Sequence, residues 1–348
     1  MSGISRLIRS ATLHGYNELA QSLGLEPSVM LRQVALSREM LEEPDQLIPL
    51  HAACQLLEAS AEKSGHEDFG LQLAARRRLA HLGVVSTVVR EEPTGMAALQ
   101  TLTRYLQLVN PSLFTSIEIA KDVVVVREEL LSDTAVPIRQ SMEMAVGVMH
   151  GILRDILGKE WRCRGVYFAH RAPHKKGLHQ AIFDCPIAFN AHFNGLVCST
   201  SDLLALLPDR DTRRVAWAQL SLERALAQNR TDTSVLVKQM VMALLPQGRC
   251  NADIVAQQLG VDRRTVHRQL VHEGLSFSKL VQTVRNDLVV RQLQGSDRSV
   301  AEIGYLLGFK SSSAFAHWFR KTQGKSVQQW KKDASPDHRH IQKDCLLP

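Results

Sequence analysis

The chain has 348 residues, of which 45% are hydrophobic and 22% are charged, and its formal net charge is +7. A chain of this size and apolar content can bury a core without disulfides or a structural metal, which excludes a mostly disordered protein. It contains no apolar run of about 18 residues, and its N-terminus lacks the pattern of a secretory signal. We therefore expect a cytoplasmic protein without membrane association.

Residues 1–205 have the pattern of a domain that combines helices and strands. Apolar periodicity predicts helices over 17–23, 29–34, 50–63, 95–109 and 138–157. Alternation and β-branched runs predict a hairpin of 114–119 with 123–126, and short strands over 165–169, 187–190 and 196–199. Helices and strands that segregate in this way predict one α+β domain.

The remainder of the chain is predicted to be helical. Residues 211–228 form a helix that could serve as a dimer interface or pack inside the N-terminal domain, and the polar segment 229–233 is the best linker. From there, helices continue to about Lys332.

The excess positive charge of the chain lies in this C-terminal segment. Between Pro246 and Lys332 there are 14 Lys/Arg and 6 Asp/Glu, a net charge of +8, which leaves −1 for the rest of the chain. A basic segment beside a near-neutral one predicts a polyanion-binding domain, although a solvated basic face has the same composition.

The basic segment contains one pattern twice, at 251–270 and at 299–319. Each copy begins with a helix-capping residue and has a small residue four positions before a glycine: Ala256 before Gly260, and Gly304 before Gly308. The glycine permits the left-handed backbone of a sharp turn, and the small residue lets a second helix cross closely. Apolar residues are expected to lock each pair of helices: Ile254, Val255, Leu259, Val261, Val266 and Leu270, then Ile303, Leu307, Phe309, Phe315 and Phe319. This is the pattern of a repeated helix-turn-helix.

A helix over 278–294, about 25 Å long, separates the two copies. Such a spacer can hold two recognition helices about one turn of DNA, or about 34 Å, apart. We therefore expect both recognition helices to enter successive major grooves on one face of a duplex.

The segment 232–333 resembles the DNA-binding domain of the AraC/XylS family. The resemblance rests on Leu-Gly-Val-Asp-Arg-Arg-Thr-Val-His-Arg-Gln-Leu from residue 259, Ser-Val-Ala-Glu-Ile-Gly-Tyr-Leu-Leu-Gly-Phe from residue 299, and Ser-Ala-Phe-Ala-His-Trp-Phe-Arg-Lys-Thr-Gln-Gly from residue 313. It implies that 236–245 is the first helix of the module. The first 205 residues are similar to the arabinose-binding-type regulatory domain of that family, through Gly-Leu-Gln-Leu from residue 70, the helix 99–109, and Phe-Asp-Cys-Pro-Ile-Ala-Phe from residue 183.

The resemblance implies a fold class and an organisation. We expect an N-terminal α+β regulatory, effector-binding and dimerisation domain over 1–208, a connecting helix and linker over 209–231, an all-α double helix-turn-helix domain over 232–334, and a flexible tail over 335–348. It also implies a transcription regulator, by family habit an activator, with promoter DNA, RNA polymerase and a second copy of the chain as partners. In the alternative, the N-terminal domain only dimerises or binds a protein partner and senses no small molecule.

The residues expected to contact DNA lie on the two recognition helices. Arg264 and Arg268 are the best readers of bases, because arginine bidentate to guanine is the commonest specific contact, but either one could bind only phosphate. Short hydroxyls and flanking cations suit phosphates. The predicted set is Arg263, Arg264, Thr265, His267, Arg268, Lys310, Ser311, Ser312, Ser313, His317, Arg320 and Lys321. Two residues depart from the family, which usually has arginine at the position of His317 and proline at that of Val327.

Other chemistry-bearing residues are given structural interpretations. His170, His174 and His179 lie near two lysines and are expected in a surface loop, so we predict no metal site and no cofactor. The six cysteines include no C-x-x-C pair, and Cys185 and Cys198 are expected to be buried thiols without a redox role. No catalytic motif is present, so a DNA-targeted enzyme, which would need a nucleophilic cysteine with its own base or a metal shell, is the less favoured class.

Overall fold

A computed structural model describes residues 6–131, 136–208, 212–228, 233–246, 248, 250–259 and 261–334. Contacts divide the chain into two compact units, Met1–Asp232 and Thr233–Pro348. In the described part of the chain, every helix is too short or too polar to cross a membrane. Residues 229–232 of the expected linker 229–233, and the expected tail over 335–348, lie outside the described residues.

The first half of the first unit is mostly helical, as predicted. Its helices are α1 (Tyr16–Ser22), α2 (Pro27–Gln33), α3 (Arg38–Glu42), α4 (Leu50–Ser64), α5 (Phe69–Ala75), α6 (Val84–Arg90) and α7 (Gly95–Val109). Two strands that the sequence did not predict, β1 (Leu7–Arg9) and β2 (Leu47–Pro49), form a small antiparallel sheet. Each has only three residues, which is too short for alternation to be recognised.

A five-stranded sheet and the long helix α8 (Arg139–Leu157) form the second half of this unit. The strands are β3 (Leu113–Ala120), β4 (Val123–Leu130), β5 (Gly165–Tyr167), β6 (Ile187–Ala188) and β7 (Asn194–Ser199), in the order β3-β4-β7-β5-β6. The pair β5–β6 is parallel and the other pairs are antiparallel. The predicted hairpin is therefore confirmed, and so is the α+β class. Helices α9 (Gly177–Phe183) and α10 (Thr200–Leu204) complete this half.

Helix α11 (Ala216–Gln228) packs within the first unit. Ala218 and Leu222 are buried in its core, and Glu223 accepts hydrogen bonds from Arg104 and from the Tyr105 hydroxyl. Of the two roles that the sequence left open for the Leu222 side, the structure confirms packing inside the N-terminal unit. The outer face carries Trp217 and Leu220, whose exposed fractions are 77% and 51%.

In the described residues, the second unit contains helices and no strands, which confirms the predicted all-α class. Its helices are α12 (Thr233–Leu244), α13 (Ala252–Gln258), α14 (Arg263–His272), α15 (Phe277–Gly295), α16 (Val300–Leu306), α17 (Ser312–Gln323) and α18 (Val327–Ala334). Capping side chains fix where α13 to α17 begin: Asn251, Asp262, Ser276, Ser299 and Ser311 each accept a hydrogen bond from a backbone N–H three residues later. Ser299 and Glu302 form the predicted capping box.

Helix α15 makes side-chain contacts with both the first helix of the unit and the second helix-turn-helix. Its Asp287 forms an ion pair with Lys238 of α12 at 3.4 Å, and both side chains are largely buried. The Arg285 guanidinium donates to the carbonyl of Leu307 at 2.9 Å and lies 4.4 Å from the centre of the Phe309 ring. Asp287 and Arg285 are two positions apart on α15. This helix therefore holds α12 and the turn of the second helix-turn-helix in fixed positions relative to each other.

The second helix-turn-helix has the close crossing that its small residue predicts. A Cβ atom added at Gly304 would lie 3.1 Å from Cβ and Cγ of Phe315, and Gly308 has a left-handed φ of 73°. Ile303, Leu307, Phe315 and Phe319 are buried together, as expected. In the first copy, Val255, Val266 and Leu270 are buried, but Val261 is 39% exposed, so its predicted locking role is wrong. Gly260 lies outside the described residues.

Substitution of Gly304 by valine is expected to destabilise the second unit by about 1–3 kcal/mol, because the added carbons have no space beside Phe315. Gly295→Val, at the open end of α15, is the matched control, since nothing lies within 4 Å of a Cβ added there. Urea unfolding of both variants measures the difference. Equal stability of the two variants would contradict a tight crossing at Gly304.

Candidate nucleic-acid interface and buried cavity

Helix α14 presents a basic outer face because its inner face is fixed by burial. Val266 and Leu270 are buried, whereas Arg264, His267 and Arg268 are exposed. This division follows the helical period, in which residues three and four apart share a face. In the described residues, these three exposed side chains make neither a hydrogen bond nor an ion pair, so they are available to a ligand.

The start of α14 is fixed by Asp262. Its carboxylate accepts hydrogen bonds from the Thr265 N–H at 2.7 Å and from the Thr265 hydroxyl at 2.8 Å. The N–H of Thr265 holds the pKa of Asp262 below its usual value. Thr265 is half-buried and its hydroxyl is already engaged, which makes it the weakest candidate on this helix. Arg263 is exposed and lies 3.4 Å from the Asp253 carboxylate.

Helix α17 is positioned in the same way. Ser311 caps it by accepting from the Ala314 N–H at 3.2 Å, and Phe315 and Phe319 bury its inner face. The indole of Trp318 donates to the side-chain oxygen of Gln282, which attaches α17 to α15. The other predicted residues on or beside this helix are exposed: Lys310, Ser312, Ser313, His317, Arg320 and Lys321.

The two helices therefore combine cations, hydroxyls and imidazoles on solvent-facing surfaces. Of the twelve residues predicted to contact DNA, all except the half-buried Thr265 are exposed. Such side chains can contact phosphate oxygens and base edges, the two kinds of target that duplex DNA offers.

A cavity that the sequence did not reveal lies inside the first unit. The cavity has a volume of about 80 Å³, several times the roughly 10–15 Å³ that a single water needs. Its wall is mainly apolar and is contributed by α4, α7, α8 and the β3–β4 hairpin. Residues that line it include Leu57, Leu102, Leu113, Met144, Met149 and Ile152.

Two buried polar side chains also line this cavity. Glu128 is 2% exposed, and burial raises its pKa to about 8; in the described residues its Oε2 atom has no hydrogen-bond partner. Arg77 donates to the carbonyl of Ala11, while its Nε lacks a partner there, and burial lowers its pKa to about 10. The alternation along β4 could have predicted that Glu128 is buried. It shares one face of the strand with Val124, Val126 and Leu130, which are all buried.

The histidine cluster differs from its prediction. His179 is fully buried and His170 nearly so, with their Nε2 atoms 3.1 Å and 3.4 Å from the carboxylate of buried Glu143. The expected surface loop is wrong for these two, because α9 and its neighbouring loop fold back onto α8. His174 is exposed and pairs with Glu67 at 3.0 Å. Among the described residues, no group of His, Cys, Asp or Glu could hold a metal ion.

The cysteine prediction is confirmed in one case and wrong in the other. Cys198 is buried in the core, as expected. Cys185 is half-exposed, and its Sγ lies 2.9 Å from Sγ of Cys163. Local sequence could not reveal this pair, because the two residues are 22 positions apart.

Two capped helix-turn-helix motifs with exposed basic helices define a helix-turn-helix protein of the DNA-binding class. A family model described as the arabinose-binding domain of AraC transcription regulator, N-terminal, matches residues 24–207, and a helix-turn-helix domain model matches residues 255–333. The first match alone covers more than half of the chain. The chain belongs to the AraC/XylS family of transcription regulators.

Two curated relatives match over nearly the whole chain, and a third matches over about a third of it. The chain is 28% identical over 335 residues to the HTH-type transcriptional regulator VirS of Mycobacterium tuberculosis, covering 94% of this chain and 97% of VirS. It is 22% identical over 326 residues to the ornithine utilization regulator of Pseudomonas aeruginosa, covering 92% and 95%. It is 30% identical over 121 residues to the transcriptional activator RhaS of Escherichia coli, covering 33% of this chain and 44% of RhaS.

The raised pKa of Glu128 predicts a pH dependence of stability. Between about pH 4.5 and pH 8, the unfolded chain releases this proton while the folded chain keeps it, so Glu128 makes the protein less stable as pH rises. Glu128→Gln is expected to remove this loss of stability. The free energy of unfolding of the variant relative to the wild type should grow by up to about 1.4 kcal/mol per pH unit. Urea titrations from pH 5 to pH 8 measure it. Glu129→Gln, on the opposite face of β4, is the control, and parallel curves for Glu128→Gln and the wild type would contradict the prediction.

Proposed function

We propose that the chain is a sequence-specific transcriptional activator that inserts α14 and α17 into successive major grooves of promoter DNA. The observation that carries the proposal is the pair of capped helices, each with a buried inner face and an exposed polar or basic outer face. Helix α15, of 19 residues and about 28 Å, is long enough to hold the two at the spacing of a DNA turn. Activation, rather than repression, is supported by the similarity to the transcriptional activator RhaS and implies contact with RNA polymerase.

The two helices have different roles in this proposal. Arg264 and Arg268 read bases, since both are long, exposed and without a partner among the described residues, and each can bind guanine at two atoms. Lys310, Arg320 and Lys321 bind phosphates, together with the serine hydroxyls at the start of α17. His317 is shorter than the arginine usual in the family, so α17 contributes less to sequence choice than α14.

Arg268→Ala is expected to remove about 1–3 kcal/mol of preference for the bound sequence, because a bidentate base contact is lost. Lys321→Ala is expected to weaken all duplexes alike and to reduce the dependence of log K on log salt by about 1. The bound sequence is first selected from a random duplex pool with the wild-type chain. Gel-shift titrations of the selected and a scrambled duplex, at several salt concentrations, then compare the variants. Equal losses on both duplexes for Arg268→Ala would overturn its role in reading bases.

The active form in this proposal is a homodimer, because a second module doubles the contacts and raises occupancy through effective concentration. Helix α11 is the proposed contact, since Trp217 and Leu220 form an exposed apolar face opposite the buried Leu222. Light scattering of the full chain would measure a dimer that Trp217→Ser converts to monomer and Ile119→Ser, a similarly exposed residue, does not. A wild-type monomer would contradict the proposal.

Regulation in this proposal comes from a small molecule in the cavity of the first unit. The apolar wall favours an apolar body, and Glu128 and Arg77 offer hydrogen bonds to one or two polar groups. At neutral pH, Glu128 is largely protonated because of its raised pKa, so it can donate to an acceptor while Arg77 supplies a positive charge. A small, mostly apolar acid matches these groups.

The alternative is that the first unit only dimerises or binds a protein partner. A thermal-shift screen with small apolar acids and neutral analogues, run beside a pull-down, separates the two cases. A ligand that raises the melting temperature of the wild type, and has less effect on Leu102→Trp, which fills the cavity, supports sensing. A captured partner without any ligand shift supports the alternative.

A further inference from the structure

Two thiols meet where the parallel strands β5 and β6 begin. Cys163 lies two residues before β5, and Cys185 lies two residues before β6. The strands are hydrogen-bonded side by side, with the Val166 N–H donating to the carbonyl of Pro186 at 2.9 Å. This pairing holds the two Sγ atoms 2.9 Å apart. A disulfide bond is about 2.0 Å long, so the sulfurs need to approach by about 1 Å to become bonded.

The two sulfurs differ in their access to solvent. Cys163 is 3% exposed, whereas Cys185 is half-exposed and follows the exposed Asp184 at the end of α9. A reagent in solution can therefore reach Cys185 first, and the buried Cys163 can react only with its neighbour. This is the arrangement of an attacking thiol with a resolving thiol behind it.

We propose that Cys163 and Cys185 are a hydroperoxide-sensitive dithiol that closes to a disulfide. The Cys185 thiolate attacks the hydroperoxide, the O–O bond breaks, and one oxygen stays on sulfur as a sulfenic acid while the other leaves as water or an alcohol. The Cys163 sulfur then attacks the sulfenic sulfur, the S–O bond breaks, and the oxygen leaves as a second water with the Cys163 proton. Two thiols are oxidised by two electrons, and one peroxide is reduced.

The protonation of the pair supports this order. The hydrogen bond that the Cys163 thiol donates holds the pKa of Cys185 below its usual value, although burial and the charge of Asp184 oppose this. Asp184 is itself paired with Arg162 at 2.5 Å. The pKa of Cys163 is raised by the same hydrogen bond and by burial, so Cys163 keeps the proton. The thiolate, which is the reactive form, therefore forms on the more exposed sulfur.

The disulfide would join the starts of β5 and β6 and close the loop between them. That loop contains α9, whose His179 lies against Glu143 of α8. A cross-link reduces the freedom of the unfolded chain, so the oxidised protein is expected to melt at a higher temperature than the reduced protein. This inference concerns the first unit alone and does not depend on the proposed mode of DNA binding.

The test uses the full chain, reduced and then treated with hydrogen peroxide. Alkylation under denaturing conditions, digestion and mass spectrometry identify the bonded cysteines. The expected product is one Cys163–Cys185 disulfide, about 2 Da lighter than the two thiols and reversed by dithiothreitol. Cys198, a third buried thiol on the neighbouring strand β7, is the internal control: burial raises its pKa to about 12, and it is expected to stay reduced.

Two variants test the order of the steps. In Cys163→Ser, Cys185 is expected to accumulate as a sulfenic acid that dimedone traps, whereas in Cys185→Ser the oxidation of Cys163 is expected to be lost. Oxidation of wild-type Cys185 to sulfinic acid without a disulfide, or a disulfide that joins another pair of cysteines, would overturn the proposal. The wild-type measurement decides it even where a variant fails to fold.

Discussion

The burial of one face of each recognition helix is the constraint on which the DNA-binding unit depends. Phe315 and Phe319 anchor α17, and Val266 and Leu270 anchor α14, so the opposite faces must point to solvent. A helix has a fixed period, and this leaves no freedom in which side chains are presented. The close approach of Phe315 to Gly304 sets how closely the two helices pack. Exposure of the polar face is therefore a consequence of the core rather than a separate feature.

Some basic residues of the second unit hold the unit together instead of presenting their charge to solvent. Arg285 is bonded to the Leu307 carbonyl and packed on Phe309, and Arg298 is 6% exposed and donates to Gln292. Burial lowers the pKa of both guanidinium groups. Their guanidinium groups are engaged inside the protein, while their charges still add to the positive field of the unit. Charge counts alone therefore locate the domain without identifying its contact surface.

Sequence predicted the parts of the fold that depend on local pattern. Helix α7 spans the predicted 95–109, and the β3–β4 hairpin contains both predicted strands, because period and turn signals lie within each segment. The burial of His170 and His179 could not be predicted, since it depends on Glu143, which is 27 and 36 positions away in the chain. The cavity could not be predicted for the same reason. Its wall combines residues from Ile8 to Ile152, and no local sequence pattern specifies a space between them.

The core of the first unit contains buried polar groups whose burial costs free energy of folding. A buried carboxyl such as Glu128, with an oxygen that lacks a partner among the described residues, destabilises the folded state unless something compensates it. Leucine at this position would continue the apolar face that Val124, Val126 and Leu130 form. Arg77, which also lines the cavity, is likewise a buried polar group, and its burial disfavours the charged form. Two such groups around one apolar space are explained together if a small molecule forms hydrogen bonds with both, because those bonds would offset the free-energy cost of burying them.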